Sequence, residues 1–262
     1  MQHRPKRSLG QNFLRDSSVV DRIIAAVDIQ SADHIIEIGP GQGALTERLV
    51  ASGANVTAIE FDRDLAPRIA ERFRRNANFK VVEADALEVD FGSLVQSQAK
   101  LVANLPYNIS TPILQRLIEQ REVFSSLVLM FQREVTARII ARAGGKERGY
   151  LSVLCEMAFN IERICDVSPN AFFPVPKVWS SVVRLTPKPI EADEAEMRVL
   201  VAHAFRFKRK TLQNNLADIP GSRSALHRAE IDSTRRAETL TLGEWRKLIA
   251  EIKKGEAGAP PK

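Results

Sequence analysis

Along the first two-thirds of the chain, short and wholly apolar runs alternate with stretches whose apolar positions recur every three to four residues. After a basic arm, Val19, Val20, Ile23, Ile24 and Val27 fall on one helical face, and Asp16 or Ser17 is placed to cap it. The pattern then predicts strands over residues 34–38, 55–61, 80–84, 100–103 and 126–131, with helices over 44–51, 64–75 and 111–120. Strands that are apolar on both faces and alternate with helices predict an α/β fold whose parallel sheet is covered on both sides. Residues 180–185 add a further strand. From Thr186 to Asp193 the pattern breaks, with Pro187, Pro189, Glu191 and Asp193 marking a linker. Beyond it only helical periodicity follows, over 194–205, 210–217 and 242–253, and Thr241 and Glu244 have capping-box spacing before the last helix. The expected organisation is a basic arm over 1–15, an α/β domain over 16–187, a small all-helical domain over 188–254 and a disordered tail over 255–262.

Composition narrows the class of protein without identifying it. With 262 residues, 44% hydrophobic and 27% charged, the chain is an ordinary globular protein, not a collagen-like, disordered or disulfide-scaffold one. No apolar run reaches the roughly 18–20 residues a membrane span needs, and the basic N-terminus lacks the apolar core of a secretory signal. Cys155 and Cys165 are too few for a disulfide framework or a zinc site. Core thiols, a cytoplasmic location, no metal and no membrane partner are the expectations.

Charge is more informative in its distribution than in its net value of +6. Arg4, Lys6, Arg7 and Arg15 share the first 15 residues with no acid, and Arg206, Lys208, Arg209 and Lys210 fall within five residues. Two such clusters point to a polyanion. Arg4, Lys6, Arg7, Arg206, Lys208, Arg209 and Lys210 are the candidate nucleic-acid contacts.

The chemistry concentrates at the predicted strand ends. Glu37-Ile38-Gly39-Pro40-Gly41-Gln42-Gly43-Ala44 joins the first strand to its helix. Glycines there permit a sharp turn and close approach to a ligand at the helix N-terminus, where open parallel sheets bind ligands. The next strand ends in Glu60, 21 positions after Gly39, placed to accept hydrogen bonds from two ribose hydroxyls. Strand, glycine loop, helix, strand and acid form a nucleoside-cofactor constellation. Gly39, Gly41 and Ala44 also satisfy the looser dinucleotide pattern G-x-G-x-x-A, but Glu37, Pro40 and Gly43 fit an S-adenosylmethionine loop better. The third strand ends at Asp85-Ala86, where a carboxylate can accept an adenine amino group. The fourth ends in Asn104-Leu105-Pro106-Tyr107. Pro106 fixes the turn, the Asn104 amide and a main-chain carbonyl can converge on an exocyclic amine, and Tyr107 offers a face for a base to stack on.

On these residues the chain resembles the small-subunit ribosomal RNA adenine-N6,N6-dimethyltransferases (the KsgA/RsmA family), relatives of the erythromycin-resistance rRNA methyltransferases. The resemblance spans about residues 6–252. It is carried by Lys6-Arg7-Ser8-Leu9-Gly10-Gln11-Asn12-Phe13-Leu14, Glu37-Ile38-Gly39-Pro40-Gly41, Asn104-Leu105-Pro106-Tyr107-Asn108-Ile109-Ser110 and Phe173-Pro174-Val175-Pro176-Lys177-Val178. It implies a Rossmann-like methyltransferase sheet with a helical RNA-docking domain, and Asn12 and Leu14 closing over S-adenosylmethionine. Gly39, Gly41, Glu60, Asp85, Ala86 and Asn104 would complete the cofactor site. Asn104, the Leu105 carbonyl and Tyr107 would clamp adenine, with Phe173 as second aromatic face. The implied substrate is 16S rRNA in the small (30S) ribosomal subunit or its precursor, with two adjacent adenines of a 3′-terminal hairpin dimethylated by a monomeric enzyme. Competing readings are a large-subunit rRNA adenine methylase, an assembly factor that matters by binding, and a nicotinamide dehydrogenase.

Overall fold

The computed structural model describes residues 5–6 and 9–257. In chain order the regular elements are β1 (Phe13–Leu14), α1 (Ser17–Val27), β2 (His34–Ile38), α2 (Ala44–Ala51), β3 (Asn55–Glu60), α3 (Ala66–Arg72), β4 (Phe79–Glu83), β5 (Ala99–Asn104), α4 (Ser110–Glu119), β6 (Phe124–Gln132), α5 (Arg133–Ile139), α6 (Tyr150–Ala158), β7 (Phe159–Val167), β8 (Phe172–Phe173), β9 (Ser180–Pro187), α7 (Glu194–Ala204), α8 (Leu212–Asn215), α9 (Ser222–Arg228) and α10 (Leu242–Ala257). They fall into two compact units. One runs to Thr136 and resumes over Phe159–Pro187, and the other comprises Ala137–Ala158 and the chain from Lys188 onward. The second unit therefore takes a segment before β7 that the sequence pattern assigned to the α/β domain.

The first unit is an α/β fold. Its seven-stranded sheet has the order β4-β3-β2-β5-β6-β9-β7. The five strands from β4 to β6 are parallel, and β9 lies antiparallel between β6 and β7. Ile35, Ile36 and Ile38 on β2, Leu101, Val102 and Ala103 on β5 and Leu127 through Phe131 on β6 are all buried. Burial on both faces is what a wholly apolar strand requires. Strand order reverses between β2 and β5, so the crevice at their carboxyl ends is the topological switch point. At the start of α1, the carboxylate of Asp16 accepts from the backbone N–H groups of Ser18 and Val19, as its capping position predicts.

β7 was not expected. Its residues continue from α6 without an intervening glycine or proline, so no breaker marks where helical periodicity gives way to extended chain. β1 and β8 pair only with each other, Phe13 opposite Phe173 and Leu14 opposite Phe172. Two-residue strands carry no periodicity from which to predict them.

In the second unit α10 packs on α9, α7 and α6, around Trp245, Leu248, Leu200, Val201 and Leu226, all buried. Arg148 is buried with them, donating to the Ala141 carbonyl at 2.8 Å, the Leu240 carbonyl at 3.3 Å and Glu156 Oε2 at 2.7 Å. The capping box is present: the Thr241 N–H donates to Glu244 Oε2 at 2.8 Å, and the Glu244 N–H donates to Thr241 Oγ1 at 3.2 Å. α8 is shorter than the predicted 210–217, because Thr211 is extended and the Leu212 and Gln213 N–H groups bond to the carbonyls of Arg235 and Ser233. α10 runs to Ala257, so residues 255–257 are helical where a disordered tail was expected. Glu251, paired with Arg228 and Lys254, ties down its last turns. Residues 258–262 of that tail lie outside the described residues. Among the described residues no helix is long and apolar enough to cross a membrane.

Candidate active site

At the carboxyl ends of β2, β3 and β5 lies a cleft of about 1160 Å³, its open mouth included, walled on one side by residues 9–14. The glycine loop forms its floor. Gly39 has φ +67° and donates its N–H to the Ile59 carbonyl at 2.9 Å, while a Cβ there would meet nothing within 4 Å. Glycine is needed at this point for the backbone angle, not for room. At Gly41 (φ +55°) a Cβ would lie 3.0 Å from the Phe13 ring, so there the absent side chain is what lets Phe13 seat on the loop.

Glu60 ends β3 and is buried. Its Oε2 accepts from the Gly41 N–H at 3.1 Å and its Oε1 from the Asp62 N–H at 2.9 Å. A carboxylate offers about four acceptor positions, and Glu60 lines the cleft, so capacity remains to accept from a vicinal diol. Burial pushes the Glu60 carboxyl above its ordinary range. Glu37 is more deeply enclosed, accepting from Thr46 Oγ1 at 2.7 Å, and burial pushes its pKa up to about 8. On the next wall Asp85 Oδ1 accepts from the Leu87 N–H at 2.9 Å, a turn that sets the carboxylate beside Ala86.

Residues 9–14 are strapped down at both ends. Lys6 Nζ lies 2.6 Å from both Asp62 Oδ1 and Asp64 Oδ2. Gln11 accepts from the Lys6 N–H at 2.8 Å and donates to Asp62 Oδ2 at 2.7 Å. Beyond it the β1–β8 pairing fixes Phe13 and Leu14. Lys6, expected among the nucleic-acid contacts, here places its ammonium on two carboxylates that hold the strap. Hydrogen bonds to Asp62 and Asp64 raise its pKa. Arg4 and Arg7 lie outside the described residues.

Asn104, the last residue of β5, donates from Nδ2 to the Asn12 carbonyl at 3.1 Å, which leaves its Oδ1 as the acceptor. The following turn closes through the Ile109 N–H on the Pro106 carbonyl at 3.2 Å. Tyr107 is half-buried, its hydroxyl 3.0 Å from Ser180 Oγ at the start of β9, and burial raises its pKa. The ring is thus fixed by two strands.

The cleft brings together Asn12, Leu14, Gly39, Gly41, Glu60, Asp85, Ala86, Asn104, Leu105 and Tyr107. Phe173 does not line it. It is 44% exposed, with the Arg15 guanidinium 4.1 Å from its ring centroid, and connects to the cleft through its pairing with Phe13. Phe172, beside it, belongs to the core. Arg206, Lys208, Arg209 and Lys210 are exposed between α7 and α8 in the second unit. Sequence reasoning missed the roles of Asp62, Gln11 and Ser180. Gln11 lay inside a recognised motif, whereas Ser180, a lone serine before an apolar strand, gave no signal.

This sheet order, with a glycine loop at its switch point and an acid closing the next strand, defines a Rossmann-like methyltransferase. The solved structure of a dimethyladenosine transferase from Plasmodium falciparum superposes with a TM-score of 0.80 at 26% identity, covering 93% of this chain and 98% of that one. The 23S rRNA methyltransferase ErmE superposes at 0.72 and 25% identity, covering 92% and 100%. Ribosomal RNA small subunit methyltransferase A of Syntrophotalea carbinolica is 46% identical over 96% of this chain and 98% of its own length, and that of Pseudomonas aeruginosa is 42% identical over 96% of each. The ribosomal RNA adenine dimethylase profile matches residues 2–254. The chain belongs to that family and is an rRNA methyltransferase.

Proposed function

We propose that this enzyme uses S-adenosylmethionine to convert adenines of small-subunit rRNA to N6,N6-dimethyladenosine, acting in the cytoplasm as a monomer on the 30S particle or its precursor. The observation that carries the reading is the Asn104–Tyr107 turn, which opens into the same cleft as the glycine loop and Glu60. The cleft fits the cofactor. Glu60 retains acceptors for the ribose hydroxyls, Asp85 and Ala86 flank the place of its adenine, and the Gly39–Gly41 backbone, with Asn12 and Leu14 over it, borders the rest. When bound, S-adenosylmethionine supplies a methyl group on a positively charged sulfur.

The protein's part is to prepare the nucleophile. Adenine N6 attacks poorly because its lone pair is delocalised into the ring. Asn104 Oδ1 and the Leu105 carbonyl, accepting hydrogen bonds from N6 (two before the first transfer, one before the second), favour a pyramidal nitrogen whose lone pair is free, and the methylated nitrogen then loses a proton to solvent. Tyr107 holds the base plane, with Phe173 as the second aromatic face once the base has left its stack. Alignment of this kind lowers barriers by up to roughly 7–11 kcal/mol. The Arg206–Lys210 segment supplies phosphate contacts. The small-subunit reading is favoured over the large-subunit one because relatives 42–46% identical carry the small-subunit name, against 25% for ErmE.

The test incubates the protein and methyl-labelled S-adenosylmethionine with small subunits from cells lacking their adenine dimethylase, then identifies the labelled nucleosides. N6,N6-dimethyladenosine, lost in Asn104→Ala, is the expected result. No label despite cofactor binding would move the substrate to large-subunit RNA. Failure to bind the cofactor would overturn the reading of the glycine loop.

A further inference from the structure

The turn from α7 to α8 reads Arg206-Phe207-Lys208-Arg209-Lys210, and every one of these residues is exposed. Phe207 shows 48% of its surface to solvent. A loose loop would fold such a ring away from water, but this one is held out from beneath. Asn215, buried at 5% exposure, donates from Nδ2 to the Ala204 carbonyl at 2.7 Å, the Phe207 carbonyl at 3.1 Å and the Lys210 carbonyl at 3.4 Å. The Lys210 N–H closes the turn on the Phe207 carbonyl at 2.9 Å. One buried amide therefore grips the loop at its start, middle and end. The Asn215 Oδ1 is itself buried without a hydrogen-bond partner. An unpaired interior polar atom is unfavourable, so what Asn215 contributes is the shape of the loop.

Two cations lie over the ring, and Arg206 also reaches Asp218 Oδ2 at 3.4 Å on the surface. Lys210 Nζ lies 4.5 Å and the Arg206 guanidinium 5.5 Å from the ring centroid. Lys208 leans the other way, its Nζ 3.5 Å from the Lys146 carbonyl. A ring held out on a fixed turn with long, flexible cations over it suits a single-stranded nucleic acid, because a base can take the cations' place on the ring while they swing to the flanking phosphates. An apolar protein pocket would have to desolvate those same cations to reach the ring.

Resting on the rRNA reading above, we infer that Phe207 is a stacking platform for an unpaired base of the ribosomal RNA, that Arg206 and Lys210 neutralise the adjoining phosphates, and that Asn215 positions the loop. Phe207 governs affinity for the RNA and takes no part in methyl transfer.

The test uses the full chain with methylation-deficient small subunits and compares Phe207→Ala, Phe207→Leu and Phe207→Trp. Phe207→Ala is expected to raise KM for the subunits by about 5- to 150-fold, the range for one stacked base, with kcat at saturation unchanged. Trp keeps KM near wild type, and Leu behaves like Ala. The dependence of log affinity on log salt keeps its slope in all three, whereas Lys210→Ala lowers the slope by about 0.7–0.9, one phosphate's worth. A Leu variant that restores KM would reveal an apolar protein contact and overturn the inference. So would an unchanged KM in Phe207→Ala, and in both cases methylation by the wild type would leave the rRNA reading intact. If the wild type fails to methylate the subunits, that reading falls and the inference with it. Thermal melts should match throughout, because the ring is on the surface.

Discussion

Tyr107 and Phe207, two rings proposed to receive a base, are held in opposite ways. Tyr107 is half-buried at the end of β5, behind a proline turn, with its hydroxyl tied to Ser180 on β9. Phe207 stands in solvent on a turn whose carbonyls are gathered by one buried side chain. The first arrangement fixes a ring against two strands of a sheet, as methyl transfer demands, since small misplacements there are costly in rate. The second fixes a loop but leaves the ring free to meet a large partner. The site in the sheet unit is built on backbone constraints, and the proposed docking loop of the helical unit on a polar interior. Buried polar groups serve different ends in each: Glu37 and Glu60 face a cleft, while Arg148 and Asn215 organise loops.

The sharpest separation comes from Arg148. Replacing it with Met leaves the Ala141 and Leu240 carbonyls without their donor, while the partly exposed Glu156 keeps its hydration. The change should cost about 1–3 kcal/mol for each buried acceptor left unpaired in urea unfolding, with methyl transfer by the folded fraction near wild type. A cost below about 1 kcal/mol would mean that the helical unit rests on its apolar core alone. Asn104→Ala should do the reverse. Loss of one oriented acceptor is expected to lower kcat by about 10²–10³-fold in single-turnover assays, with KM for the subunits and the urea midpoint little changed. A variant that lost subunit affinity instead would make Asn104 a docking residue and erase the contrast.

Legibility followed the same division. β2 and α2 stand where the sequence places them, because a wholly apolar run bounded by Gly39 and a helix opening after Gly43 leave the chain few alternatives. Gly39, Gly41, Glu60, Asp85 and Asn104 were legible for the same reason, sitting at strand ends that periodicity locates, whereas Asn12 and Leu14 came only from the family resemblance. α6 and β7 were not, since Tyr150 to Val167 passes from helix to strand with no breaker. Nor was the pairing of Phe13 with Phe173, a contact between distant segments two residues long. Lys6 read as a free cation because its partners, Asp62 and Asp64, are close only in the fold. Asn215 carries no sequence signature, because its role depends on three carbonyls that only the turn brings together.

A carboxylate buried at the cleft and one at a helix head respond to pH in opposite ways. Glu37 has a folded pKa of about 8 because it is buried, against an ordinary value near 4.3 in the unfolded chain. Between those values the folded protein keeps a proton that the unfolded one has lost, so this residue's contribution to stability falls as pH rises, by about 1.4 kcal/mol per unit. Glu37→Gln removes the penalty while keeping an acceptor for Thr46. Urea unfolding should show the variant gaining nearly 3 kcal/mol on wild type (approximately two units' worth) between pH 5 and pH 7. A constant difference would mean that Glu37 ionises normally in the cleft.

Glu244, at the head of α10, titrates in the opposite sense. Its hydrogen bonds to Arg235, followed by those from Thr241, lower its pKa to about 2 despite partial burial. A depressed carboxylate contributes stability that is complete above its unfolded pKa and is lost as pH falls through the folded one. Glu244→Gln keeps the shape of the capping box and removes only the charge. Solvent screening at a side chain 29% exposed limits the expected loss to about 1–2 kcal/mol at pH 7. Going down in pH from about 4.5 toward 2, wild type should converge on the variant. If the gap instead persists at pH 2, the cap works through geometry alone, and the opposite slopes expected for Glu37→Gln and Glu244→Gln would not mark a difference between a cleft and a helix end.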